Sequence, residues 1–111
     1  MEGSFRFRVS DAVDIPSRGF LLRLRLMEGM PSIRELGPGR YLRLRAPDGA
    51  ERLVRVLDFS SVGGRATQAR LERMRELDVI ISKADAHRDG RTIQIGWNVI
   101  GAVASPGERA A

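Results

Sequence analysis

The stretch 5–29, FRFRVSDAVDIPSRGFLLRLRLMEG, decides the fold of this chain. Apolar and arginine side chains alternate in both of its halves, and a period of two is typical of a β-strand with one buried face and one wet face. Between the halves, Pro16 fixes φ at the start of a turn, and Gly19 permits a positive φ or a close backbone approach. The stretch therefore predicts two strands joined by a tight bend.

The same alternation recurs at 41–45, YLRLR, and within 52–59. It assigns each side chain to a face, because neighbouring residues of a strand point to opposite sides of the sheet. The residues predicted to face the core are Phe5, Phe7, Val9, Leu22, Leu24, Leu26, Leu42, Leu44, Val54 and Val56. The arginines predicted to share the outer face are Arg6, Arg8, Arg23, Arg25, Arg43 and Arg45.

Turn residues divide the rest of the chain into short segments. Pro47-Asp48-Gly49 predicts a tight turn between the strands at 41–45 and 52–59. Apolar residues recur every three positions within 66–77, which predicts one short helix packed on the core. Asp89-Gly90 predicts the tip of a second hairpin between 79–81 and 92–97, and 98–103 is predicted as a final strand.

Six or seven antiparallel strands with one inserted helix predict a mainly all-β fold, a small closed antiparallel barrel. A chain of 111 residues with 42% hydrophobic content suits a single domain, expected over 1–104, with a disordered polar tail at 105–111. The absence of cysteine excludes disulfides and thiolate chemistry. No apolar run has the length of a signal peptide or of a membrane helix, so we expect a soluble, cytoplasmic protein without a membrane partner.

The pattern D-x-V-x-I-P-x-R-G, followed by an apolar strand and E-G, resembles the opening of the second domain of translational GTPases, the family of elongation factor Tu. The matching residues are Phe5, Val9, Asp11, Val13, Ile15, Pro16, Arg18, Gly19, Glu28 and Gly29. The resemblance implies a small β-barrel that contacts RNA or the ribosome, with the fold motif carried by Asp11, Ile15, Pro16, Arg18, Gly19 and Gly29. It does not extend to the aminoacyl pocket, since Phe59-Ser60-Ser61 and 74–79 replace the family residues there. The helix within 66–77 would be an insertion in that fold.

The net charge of +5 comes from 19 basic residues, of which only Lys83 is a lysine. Arginine forks bind phosphate, so the six outer-face arginines are candidate contacts to RNA or the ribosome. Few rings are free for base stacking; Tyr41 and Phe20 are the two expected to face solvent, which favours shape-directed binding. The alternative is a stand-alone protein-interaction module that binds through the barrel edge or the 66–77 helix, with arginines that serve only for solubility.

No catalytic machinery is predicted. The segment 78–85, DVIISKAD, resembles the guanine-specificity strand of GTPases, but with Lys83 as the sole lysine no phosphate-binding loop is possible, so GTP binding is not expected. His87 beside Asp85 and Asp89 has the residue types of a weak metal or proton-transfer site, but a solvated turn is the preferred interpretation. The serines at 60–61 lack a base, and the glycines at 63–64 are interpreted as a hinge. We expect no enzyme activity, cofactor or metal.

Overall fold

The computed structural model describes residues 4–60 and 66–106, and within them the chain is mainly β-structure. The strands are β1 (Arg6–Ile15), β2 (Gly19–Glu28), β3 (Tyr41–Arg45), β4 (Glu51–Arg55), β5 (Asp58–Phe59), β6 (Glu76–Ile81), β7 (His87–Arg88), β8 (Arg91–Thr92) and β9 (Asn98–Val103). The helices are a 3₁₀ turn (Ile33–Leu36), α1 (Gln68–Met74) and α2 (Lys83–Ala86). The predicted mainly β fold with a short helix after β5 is confirmed.

Seven strands form one antiparallel sheet in the order β4-β3-β9-β1-β2-β6-β5, while β7 and β8 form a small ribbon. The prediction of a closed barrel is wrong, because β4 and β5 are edges with no ladder between them. Strands β4 and β5 nevertheless follow each other in the chain, separated by Val56 and Leu57. The backbones of these two residues bond to opposite ends of the sheet. Val56 N–H donates to Arg40 O at 2.9 Å, and Leu57 N–H donates to Ile80 O at 2.8 Å. The sheet therefore curls without closing.

The free side of β4 is covered by side chains instead of by a strand. Arg55 N–H donates to Asp85 Oδ2 at 3.0 Å, and Leu53 O accepts from Arg88 Nη1 at 3.1 Å. Asp85 and Arg88 also form an ion pair with each other. These bonds satisfy edge groups that a closing strand would otherwise pair, which is one physical reason why the barrel stays open.

The core lies on the inner face of the curled sheet, and all ten residues predicted to face it are buried. Phe20 is buried as well, with 4% exposure, so its prediction as a solvent-facing ring is wrong. It has the parity of Leu22 on β2, and its ring meets the His87 ring edge-to-face at 5.3 Å. Trp97, Leu71 and Ile93 belong to the same core.

The helix α1 is shorter than the predicted 66–77. It begins after Thr67, whose hydroxyl accepts from Arg70 N–H, and it ends at Arg75 with φ of 58°. Only Leu71 of the apolar stripe is a buried helical residue, since Met74 is 46% exposed and Leu77 belongs to β6.

The second hairpin is confirmed only at its tip. Asp89 and Gly90 have φ of 56° and 71° and connect β7 to β8, as a two-residue turn with positive φ requires. The predicted pairing of 79–81 with 92–97 is wrong: 79–81 pairs with β2, and two of its residues also pair with β5. Both predicted segments are apolar, so local sequence did not reveal which strand each one joins.

Ser105 and Pro106 of the predicted tail are exposed, and 107–111 lie outside the described residues, as do the glycines at 63–64 and Ser61. Among the helices of the described residues, none has the length and apolar character needed to cross a membrane.

Candidate nucleic-acid interface

One row of polar side chains crosses six strands on the outer face of the sheet. The ladders pair Arg45 with Glu51 and Asn98, Arg8 with Asn98 and Arg25, and Arg25 with Glu76. From β4 to β6 the row reads Glu51, Arg45, Asn98, Arg8, Arg25, Glu76. We call it the outer row. It places three arginines between an acid at each end.

The other three predicted arginines flank the outer row. Arg6 and Arg23 lie on β1 and β2, and Arg43 lies on β3, two positions from Arg45. All six arginines are exposed or half-buried and occupy three of the four adjacent strands β3-β9-β1-β2. Strand order therefore brings the six side chains onto one surface.

This surface is less basic than the arginine runs alone indicate, because acids from other strands reach it. The ion pairs are Arg6–Glu28 at 2.9 Å, Arg23–Asp78 at 3.0 Å, Arg25–Glu76 at 3.4 Å, Arg43–Glu51 at 3.7 Å and Arg45–Glu51 at 2.7 Å. The acids come mainly from β4 and β6, whose places beside the arginine strands are set by tertiary pairing. Sequence reasoning missed them for that reason.

Two of these pairs perturb titration. The Arg23 side chain donates to Asp78 through two nitrogens, and this hydrogen bonding raises the pKa of Arg23. The hydrogen bond from Arg45 lowers the pKa of Glu51. Arg23 is thus committed to a partner inside the sheet, since the Asp78 side chain is only 13% exposed.

Arg8 differs from the other five arginines. It is exposed, and within residues 4–60 and 66–106 no ion pair or side-chain hydrogen bond engages it. Its cross-strand neighbour is Arg25, a like charge directly opposite. The sequence signal for this feature is weak, because Arg8 looks like every other arginine in the alternation.

Rings are scarce on this face. Tyr41 is half-buried and has the outward parity of Arg43 and Arg45, four positions from the outer row. Phe5, Phe7, Phe20 and Trp97 are buried in the core. The outer row can thus offer guanidinium groups to phosphate but no stacking platform of its own.

The fold-motif residues lie along the β1–β2 hairpin and do not form a pocket. Gly19 has φ of 130° and Gly29 has φ of 75°, at the two ends of β2. A Cβ on Gly19 would lie 2.5 Å from Ile81 O, so the predicted close approach is confirmed. Arg18 and Pro16 are exposed at the bend, while Asp11 and Ile15 are half-buried on β1.

The remaining charged clusters hold the structure together. Arg52 donates to the carbonyls of Asp85, Ala86, Arg88 and Arg91 at 2.9–3.1 Å, and burial lowers its pKa. Its guanidinium carbon lies 5.1 Å from the centre of the Trp97 ring. These bonds fasten the 85–91 segment onto β4.

The residues considered for chemistry also have structural partners. Asp85, from the guanine-site-like segment, caps the β4 edge, and Ser82 caps α2 through Asp85 N–H at 3.0 Å. His87 Nδ1 lies 2.8 Å from Thr92 Oγ1. Across the described ranges no cluster of three or more metal-ligating side chains occurs.

Comparison with protein-family models, with curated proteins and with solved structures finds no significant match to this chain. The geometry of the outer row is accordingly the basis for a functional proposal.

Proposed function

We propose that this chain is a non-catalytic β-sheet module that contacts the phosphate backbone of RNA, free or within the ribosome, through the outer row. The observation that carries the proposal is the adjacency of Arg8 and Arg25, two arginines directly opposite each other, of which Arg8 has no acidic partner among the described residues. Like charges in this arrangement repel, and a bound phosphate removes the repulsion.

The surroundings of this pair support the same proposal. Arg45 lies in the same row on β3, two strands away from Arg8, at about 10 Å given a strand spacing of about 4.8 Å. Asn98 lies between them and is already bonded through Oδ1 to Arg6 Nη1 at 3.1 Å. The row therefore offers cations at two separated points on the outer face of the sheet, which suits backbone contact with low sequence selectivity.

The resemblance of 5–29 to the second domain of translational GTPases supports an RNA or ribosome partner independently of charge. We extend the proposal to a translation-factor-like role for the module. The protein-interaction hypothesis remains the alternative, and the salt dependence of binding separates the two.

The experiment is a titration of a labelled RNA hairpin, and of ribosomes, at several salt concentrations. The test variant is Arg8→Gln with Arg25→Gln, and the control is Arg34→Gln with Arg73→Gln, which removes the same charge from exposed positions elsewhere. Loss of two phosphate contacts lowers the slope of log K against log salt by about 2. The control should bind like the parent, apart from a small uniform loss.

Arg23 is left intact in this design, because its removal would leave Asp78 without its partner and so mix stability with binding. Equal binding by parent and test variant, or no binding of RNA or ribosomes by the parent at low salt, would refute the proposed function.

A further inference from the structure

The β1–β2 hairpin extends beyond the strand on its other side. Strand β1 pairs with β9 only at Phe7 and Arg8, and the bonds between Val9 and the 96–97 backbone end this contact. The chain then turns away at Gly96, where φ is 100°. From 11 to 15, β1 has β2 as its one strand neighbour within the described residues. Among the described residues, the place in line with β9 beside this half of β1 is therefore vacant.

Apolar residues line one side of the vacant place. A groove of about 520 Å³ runs beside it, lined by Ala12, Phe20, Thr92, Ile93, Gln94 and Ile95. Ile95 is 60% exposed, the highest value among the large hydrophobic residues of the described chain, and Val13 on the opposite face is 43% exposed. A strand added beside β1 would place alternate side chains over Ile95 and next to Val13.

The edge also has backbone groups of the kind that an added strand uses. Ala12 N–H donates to the Asp11 carboxylate, Oδ1, at 3.0 Å instead of to a neighbouring strand. A carbonyl from an incoming strand can replace that carboxylate, which leaves Asp11 available for a cation. Edge strands with free backbone groups are the usual templates for strand addition.

Charge selects the partner. The edge carries two acids on a chain of net charge +5: Asp11 on the face of Val13, and Asp14, which is 52% exposed and forms an ion pair with Lys83 at 3.4 Å, on the other face. With its apolar residues over Ile95, the added strand places the alternate residues on the face of Asp11 and Val13, where a basic residue gains a cross-strand ion pair with Asp11 and an acidic one meets repulsion. We propose that the free edge of β1 at 11–15 binds an extended segment of a partner protein, with alternating apolar and basic residues, as an additional strand.

This site lies at the opposite end of β1 from Arg8, so it stands independently of the RNA proposal. The probes are two capped synthetic peptides, one of alternating lysine and valine and one of alternating glutamate and valine. The full chain is labelled with ¹⁵N, and amide shifts are followed during titration. Non-specific attraction to a basic protein would favour the glutamate peptide, so preference for the lysine peptide is diagnostic.

The expected result is saturable binding of the lysine peptide, with shifts confined to 11–15 and 93–96. Asp11→Lys, which reverses the charge on the face of Val13, should weaken binding roughly threefold to tenfold, while Glu72→Lys, the matched reversal on α1, should not. Ile95→Ser should weaken it by a similar factor, with the exposed Met74→Ser as control.

Three results would overturn the proposal: no binding of the lysine peptide, equal binding of both peptides, or shifts at β4 or β5 instead. Sedimentation that shows a dimer, with amide protection at 11–15 in the absence of peptide, would also overturn it by assigning the edge to a second copy of the chain.

Discussion

Arg8 and Arg25 face each other directly across the antiparallel ladder of β1 and β2, on the outer face of the sheet. Because like charges in this position repel, we predict that Arg8→Glu leaves stability unchanged or raises it by about 0.5–1 kcal/mol, while it weakens RNA binding. Urea denaturation measures the first effect and the hairpin titration the second. If the variant is more stable but binds RNA less tightly, the loss of binding does not come from a loss of folding.

The matched variant for this prediction is Arg25→Glu. In the parent, Arg25 pairs with Glu76 at 3.4 Å. The substitution replaces that pair with two neighbouring carboxylates, so Arg25→Glu should be the less stable of the two variants. A greater loss of stability in Arg8→Glu than in Arg25→Glu would contradict the electrostatic explanation.

The faces of the strands were predictable because alternation is a local property. All ten core residues proposed between Phe5 and Val56 are buried, and the turns at Asp48-Gly49 and Asp89-Gly90 form where their φ preferences place them. Those features depend on neighbours within a few positions of the chain.

The rest depends on contacts distant in sequence. Asp78 and Glu76 neutralise arginines more than fifty positions earlier, and nothing in the run LLRLRL indicates that β6 will lie beside it. The number of strands led to the prediction of a closed barrel. In the structure, Asp85 and Arg88 bond to the edge of β4 instead, and the 85–91 segment that carries them had been interpreted as a solvated turn. Side chains that replace strand partners have no periodic signature.

Substitution of Arg52 tests how strongly the 85–91 segment is held against β4. We predict that Arg52→Met lowers the free energy of unfolding by about 2–4 kcal/mol, because four backbone carbonyls lose a charged donor and Trp97 loses a stacked cation. Denaturant titration gives the value. Arg55→Met, on the same strand with an exposed side chain, should stay within about 0.5 kcal/mol of the parent. Similar losses in both variants would mean that the carbonyl bonds are not the cause.

Gly19 tests the bend between the first two strands. Its φ of 130° is strained for any residue with a Cβ, and that Cβ would lie 2.5 Å from Ile81 O. We predict that Gly19→Ala costs about 2–4 kcal/mol in denaturant titration. Gly49→Ala has a positive φ of 96° but open space around the Cβ, so it should cost only about 1–2 kcal/mol. Equal losses of stability in the two variants would show that the close approach to Ile81 O does not contribute to the effect at Gly19.

Acid should destabilise the chain through two exposed carboxylates beside arginines. The backbone N–H of Ala50, together with Arg91, lowers the pKa of Asp48, and Arg45 lowers the pKa of Glu51. A carboxylate with a folded pKa below its unfolded value contributes its full stability above the unfolded pKa, near pH 4, and loses it as the pH falls through the folded pKa. We therefore predict a melting temperature that declines between about pH 5 and about pH 2.

The decline should be smaller in Asp48→Asn with Glu51→Gln, because these side chains no longer titrate. About 1 M salt should narrow the difference between variant and parent by screening the arginines. Parallel declines in variant and parent at low salt would show that other carboxylates carry the acid sensitivity.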